Sequence, residues 1–136
     1  MRIVVDTNIL FSLFWEKSFT KEILSMTNFE LISSEVALEE LKKYSSLIIS
    51  KTKINKPRFE KTLFNLRGIV TFLRKKEYSE FIQEAKKISP DPNDADFLAV
   101  CLKLKCPLWS NDKILKNQEK VHVLSTKDIV EMIFGG

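Results

Sequence analysis

The sequence predicts an α/β protein: a parallel sheet covered by helices on both faces. Three observations carry this. Short apolar runs alternate with segments of helical periodicity along the chain, the pattern of strands joined by helical crossovers. The first run, Ile3-Val4-Val5, is β-branched and apolar at consecutive positions, as suits a strand buried on both faces. The 136 residues are 44% hydrophobic and 29% charged, with only 3 Gly and 4 Pro, enough for one core and without a linker-like stretch or internal repeat. A single domain over residues 1–136 is expected.

Each element has its own signal. Residues 2–5 form the central strand. Residues 7–15 turn helical, with Ile9, Leu10, Leu13 and Phe14 apolar, and residues 20–26 form a second helix. A strand spans residues 29–32, and Ser33 or Ser34 caps a helix that runs to about residue 49. A helix over 57–66 precedes a strand over 68–73, followed by a helix over 78–88. The breaker Ser89-Pro90-Asp91-Pro92 leads into a helix over 93–105, with Asp91 as cap and Pro92 at its first position. Strands at 107–109 and 121–124 flank a short helix over 113–117. Ser125 caps the last helix in a capping-box arrangement with Asp128.

Bulk properties narrow the function. No apolar run approaches the roughly 20 residues that span a bilayer, and the N-terminus reads as a strand rather than a secretory leader, so no membrane partner and a cytoplasmic location are expected. Cys101 and Cys106, the only cysteines, read as free thiols. One histidine and no CxxC pair argue against structural zinc. The net charge of +4 permits a polyanionic partner. The cations are grouped: Lys51, Lys53, Lys56, Arg58 and Lys61, then Arg74 to Lys76, then Lys113, Lys116 and Lys120. They are candidate contacts to flanking phosphates, with Phe59, Phe64, Phe72 and Tyr78 as candidate stacking aromatics, although core packing is the plainer role for such rings.

Four carboxylates stand where charge is costly. Asp6 ends the first strand and could itself cap the following helix; Thr7 or Asn8 beside it could equally do so and leave Asp6 free. Glu40 falls within or beside the apolar stripe Ala37, Leu41, Tyr44 and Ile48, whereas Glu39 groups with Glu35 and Lys43 as surface charge. Asp94 shares a helix face with Phe97, Leu98 and Cys101, and Asp96 is displaced around that helix, toward a rim or solvent. Asp112 follows a strand, beside Ser110 and Asn111, and could equally cap the next turn. In open parallel sheets the ligand site lies beyond the carboxyl ends of the strands, so Asp6 and Asp112 are the pair this geometry brings together. Four convergent carboxylates repel one another unless cations neutralise them, and hard oxygen donors suit Mg²⁺ or Mn²⁺.

The ordered set Val5-Asp6-Thr7-Asn8, Glu40-Leu41, Asp94-Ala95-Asp96-Phe97-Leu98-Ala99 and Leu108-Trp109-Ser110-Asn111-Asp112 resembles the PIN-domain nucleases over nearly the whole chain. The resemblance implies a three-layer α/β/α sandwich around about five parallel strands. It implies an acidic quartet of Asp6, Glu40, Asp94 and Asp112 holding one or two Mg²⁺ or Mn²⁺ ions, assisted by Thr7, Asn8, Asp96 or Ser110. It further implies a metal-dependent ribonuclease acting on RNA, single-stranded by expectation, a homodimer, and a VapC-like toxin with an antitoxin partner. Residues 51–89 are longer than in the most compact toxins, and Ser110-Asn111-Asp112 stands for the usual Thr-x-Asp. Two other classes compete: a non-catalytic PIN-like module that binds RNA or protein, and a phosphotransfer domain using Asp6 as covalent acceptor. The latter would want a second Asp two residues on, where this chain has Asn8.

Overall fold

Ile3, Val4 and Val5 are wholly buried. Successive side chains of a strand point to opposite faces, so helices must cover both sides of the sheet here. The computed structural model describes residues 1–135. In it β1 (Arg2–Val5) is the middle strand. On one side lie β2 (Glu30–Ser34) and β3 (Val70–Leu73); on the other lie β4 (Leu108–Trp109) and β5 (Val123–Leu124). All neighbours are parallel, in the order β3-β2-β1-β4-β5. The chain builds outward from β1 in one direction, then returns to add β4 and β5 on its other side. The strand order therefore reverses between β1 and β4, and their carboxyl ends frame a crevice.

The helices are α1 (Thr7–Phe11), which continues as a 3₁₀ turn to Phe14, and α2 (Phe19–Ser25). Next come α3 (Glu35–Lys43), α4 (Ser45–Thr52) and α5 (Lys56–Ile69). After β3 follow α6 (Lys75–Tyr78), α7 (Ile82–Ile88) and α8 (Ala95–Leu104); α9 (Thr126–Phe134) ends the described chain. Together they flank the sheet in the α/β/α arrangement. Helix α8 packs on β1, β2 and β4 and is covered in turn by α7. It buries Phe97 through Cys101 without interruption, as a helix enclosed on all sides must.

Among the boundaries that differ from expectation, four stand out. The helix expected to run to residue 49 breaks at Tyr44, whose φ of −98° and ψ of 21° leave the helical region. Ser45 and Ser46 follow, and serine competes for backbone bonds better at a cap than inside a helix. The strand expected from residue 68 begins at Val70, because α5 propagates through Gly68 and Ile69 and the Val70 N–H still bonds back to Leu66. The helix expected over 78–88 is divided by a 3₁₀ turn at Ser79–Phe81. The helix expected from residue 93 opens as a 3₁₀ turn, Pro92–Asp94, before α8. Within the polar stretch 51–56 only residues 53–55 leave the helices: Lys53 adopts the left-handed φ of 58° that ends α4, and Asn55 caps α5.

The remaining caps follow the sequence. Ser34 caps α3, and Ser125 and Asp128 form the expected box on α9, with the Ser125 N–H donating to Asp128 Oδ2 at 2.9 Å. Lys116 Nζ donates to the same oxygen at 2.7 Å, and the two bonds hold the Asp128 carboxyl down at about 2. Its folded-state pKa lies below the ordinary 3.8. Its contribution is therefore present above pH 3.8 and lost as the pH falls toward 2. We predict that Ser125→Ala lowers stability by about 1 kcal/mol in urea denaturation. An unchanged midpoint would contradict the capping role.

Candidate metal centre

Parallel pairing of β1 with β4 sets Val5 against Trp109, and this register places the residues after each strand side by side. Asp6 follows β1 and is buried, 6% exposed. Its Oδ1 accepts from the Ile9 N–H at 3.0 Å, so it caps α1 itself. Of the three candidate caps, Asp6 takes the role and Thr7 and Asn8 do not: Asp6 has the extended backbone and the reach to the exposed amides of the first turn. Burial pushes the Asp6 carboxyl up; the Ser110 hydroxyl and the Ile9 N–H pull it down, and nearby Asp112 pushes it up again. Ser110, itself buried, accepts from the Asp112 N–H at 3.1 Å and so ties the two acidic segments together. Asp112 Oδ1 caps the 3₁₀ turn that follows, accepting from the Ile114 N–H at 3.1 Å.

Glu40 arrives from α3, which packs against α1. Its Oε1 accepts from Thr7 Oγ1 at 2.9 Å. Glu39 is exposed, as expected. Asp94 closes the 3₁₀ turn before α8. The Asp91 side chain caps that turn, leaving the Asp94 carboxylate without any capping bond. Its pKa is raised to about 6, first by burial, then by the charges of Asp91, Asp112, Asp6 and Glu40. Asp94 thus feels the other three sequence-selected carboxylates, and Asp6 feels Asp112. Asp96 is elsewhere engaged: it accepts from the buried Tyr78 hydroxyl, which is also bonded to Ser34 at 2.7 Å.

A cleft of about 290 Å³ lies at this point. Its polar lining is Asp6, Thr7, Asn8, Glu40, Asn93 and Asp94. Its apolar wall is Phe11, Leu41, Tyr44, Leu47, Ile48 and Phe97.

The PIN-domain family model matches residues 4–129. The chain belongs to the PIN-domain family. PIN domains are typically nucleases. Among solved structures, the chain is similar to one in the crystal structure of VapBC2 from Rickettsia felis bound to a DNA fragment from their promoter. The TM-score is 0.63 and the identity 18%, over 92% of this chain and 98% of that one. No curated protein matches.

The cleft of this PIN domain suits a hard cation by donor chemistry. Its charged lining is wholly carboxylate, and no lysine or arginine is among the lining residues to neutralise the group. Among the described residues, no three Asp, Glu, His or Cys side chains close into a ready metal cage. Magnesium keeps several of its waters and takes one or two carboxylates directly, so an open ring of acids is compatible with it.

The basic clusters lie outside the cleft. Lys53 and Arg58 border a separate hollow with Glu16, and Arg58 and Lys61 also border a groove with Lys21. Lys51, Lys56 and Lys113 are exposed, and Lys116 is paired to Asp128. Of the candidate stacking aromatics, Phe59 and Tyr78 are core, Phe72 is half-buried, and Phe64 is 75% exposed. Tyr44, placed by periodicity on the inward stripe, instead stands at the cleft because α3 ends on it. Asn93 and Leu47 are lining residues that no motif marked. His122 is exposed, and no membrane-length apolar helix occurs among the described residues.

The raised Asp94 pKa has a sign that can be tested. Below pH 3.8 its carboxyl is protonated in folded and unfolded chains alike; as the pH rises through about 6 the folded chain must ionise a crowded group and stability is lost. We predict that Asp94→Asn raises the Tm of the metal-free protein at neutral pH and that the gain disappears below pH 3.8. Thermal melts across this range check it. A lower Tm at neutral pH would mean that the carboxylate is stabilising.

Proposed function

We propose that this PIN domain is a metal-dependent ribonuclease, with Asp6, Glu40, Asp94 and Asp112 holding one or two Mg²⁺ or Mn²⁺ ions. The observation that carries the proposal is the meeting of Asp6, Glu40 and Asp94 in one cleft, where burial and neighbouring carboxylates push the Asp94 carboxyl up to about 6. A side chain kept in so unfavourable a field has a use for that field. When bound, the metal supplies a Lewis acid that activates water and offsets charge on the leaving oxygen. The protein's own residues do the positioning. Ile9 N–H and Ser110 orient Asp6, Thr7 holds Glu40, and Ser110 couples Asp112 to Asp6. Asn8, exposed on the cleft, is free to bond substrate, and Asp96 supports the start of α8 through Tyr78. Lys51, Lys53, Lys56, Arg58 and Lys113 would contact the RNA backbone at a distance from the cut. No protein nucleophile is required, and water attack would leave a 5′-phosphate and a 3′-hydroxyl.

VapBC2 was crystallised bound to a DNA fragment from its promoter, and the fold shared with it supports the further proposal that this chain acts as a toxin with an antitoxin partner, as a homodimer. We predict Mn²⁺-dependent cleavage of single-stranded RNA by the purified protein, abolished by EDTA and reduced at least a hundredfold in Asp6→Asn and Asp94→Asn. Cleavage by both variants at the wild-type rate would place the chemistry elsewhere. RNA binding with no cleavage in any condition would favour the non-catalytic module.

A further inference from the structure

The cleft has two unlike sides. Its floor is acidic, yet its wall presents two large apolar side chains to solvent: Tyr44, 46% exposed, and Leu47, 47% exposed. Neither exposure is an accident of a frayed end. Tyr44 terminates α3 with its N–H bonded to Glu40 O at 2.9 Å, and its carbonyl accepts from the Ile48 N–H at 3.0 Å to start α4. The helix break therefore fixes a tyrosine one turn beyond Glu40 and projects Leu47 from the next helix into the same space. Lys43 Nζ lies 5.3 Å from the Tyr44 ring centroid, a cation–π approach that steadies the ring.

Charge decides what such a wall can receive. With carboxylates on the floor and no lysine or arginine among the lining residues, phosphates not bridged by metal are repelled from the floor, and the Lys43 ammonium beside Tyr44 stands outside the lining. The part of a nucleotide that carries no charge is its base, and aromatic side chains stack on any base face. The volume, about 290 Å³, suits one small group. Two exposed amides, Asn8 and Asn93, line the same cleft and offer both donors and acceptors to a base edge.

We infer that Tyr44, backed by Leu47, is the platform on which one unpaired nucleobase stacks beside the phosphodiester to be cut. This rests on the nuclease proposal above and deepens it by naming what positions the substrate. Such a platform would favour single strands, because a base already stacked in a duplex cannot reach it. Tyr44 is a positioning residue, acting on substrate binding rather than on the metal.

The test compares wild type, Tyr44→Ala and Tyr44→Phe for Mn²⁺-dependent cleavage of an unstructured oligoribonucleotide. Mn²⁺ affinity is measured separately by calorimetry. The expected result is a KM raised about tenfold or more in Tyr44→Ala, a KM within about twofold of wild type in Tyr44→Phe, and the same Mn²⁺ affinity in all three. Removing the base at one position next to the cut should reproduce the Tyr44→Ala defect, and the two changes should not add. An unchanged KM in Tyr44→Ala, full additivity with the abasic substrate, or a parallel loss of Mn²⁺ binding would each overturn the platform, as would occupancy of the wall by a protein segment that leaves RNA turnover indifferent to Tyr44. If wild type binds Mn²⁺ but cleaves no RNA, the nuclease proposal itself falls, and the platform with it.

Discussion

Mutual repulsion among carboxylates at the carboxyl ends of β1 and β4 is the constraint around which the rest of this molecule is arranged. Asp6, Glu40, Asp94 and Asp112 come from four separate segments, and every one raises the cost of ionising another: Asp94 feels the other three. A fold selected for stability alone would place an amide or an alanine at such a point. Here the surrounding structure spends hydrogen bonds to hold the charges in place instead. The Ile9 amide, Ser110 and Thr7 each restrain an acid, and Asp91 takes over the capping duty that would otherwise consume Asp94.

The sheet order explains how those segments meet. Because β2 and β3 build out on one side of β1 and β4 and β5 on the other, the loops after β1 and β4 diverge and leave a crevice between them. The neighbouring helices then close on the crevice: α3 brings Glu40 in against Thr7, and the 3₁₀ turn at Pro92–Asp94 delivers Asp94 before the buried barrel of α8 begins. Rigid packing of α8 on three strands anchors that end of the site. The break at Tyr44 completes it, turning an apolar stripe into an exposed wall.

Much of this was legible in the residues. The strands were readable because buried parallel strands are short, apolar and β-branched, and Ser34, Asp91 and Ser125 announced their helices. The choice of Glu40 over Glu39 followed from helical arithmetic alone, and it is Glu40, not Glu39, that lines the cleft. Legibility ended where two local tendencies were nearly balanced. Asp6 and its neighbours Thr7 and Asn8 are all good caps, and only the backbone angle at Asp6 decides among them. Tyr44 fits an inward stripe by periodicity, and nothing but the two serines after it hints that the helix stops there. Gly68 would ordinarily end a helix, yet α5 runs past it because β3 starts with no intervening loop. Asn93 and Leu47 carry no pattern at all; their place in the cleft is a product of the turns that precede them.

The most direct measurement is anomalous diffraction from crystals soaked in Mn²⁺. The account predicts a peak in the cleft between Asp6 and Asp94, within reach of Glu40 or Asp112, and its loss in Asp94→Asn. A wild-type crystal with no peak there, or with manganese bound only at an unrelated surface, would contradict it.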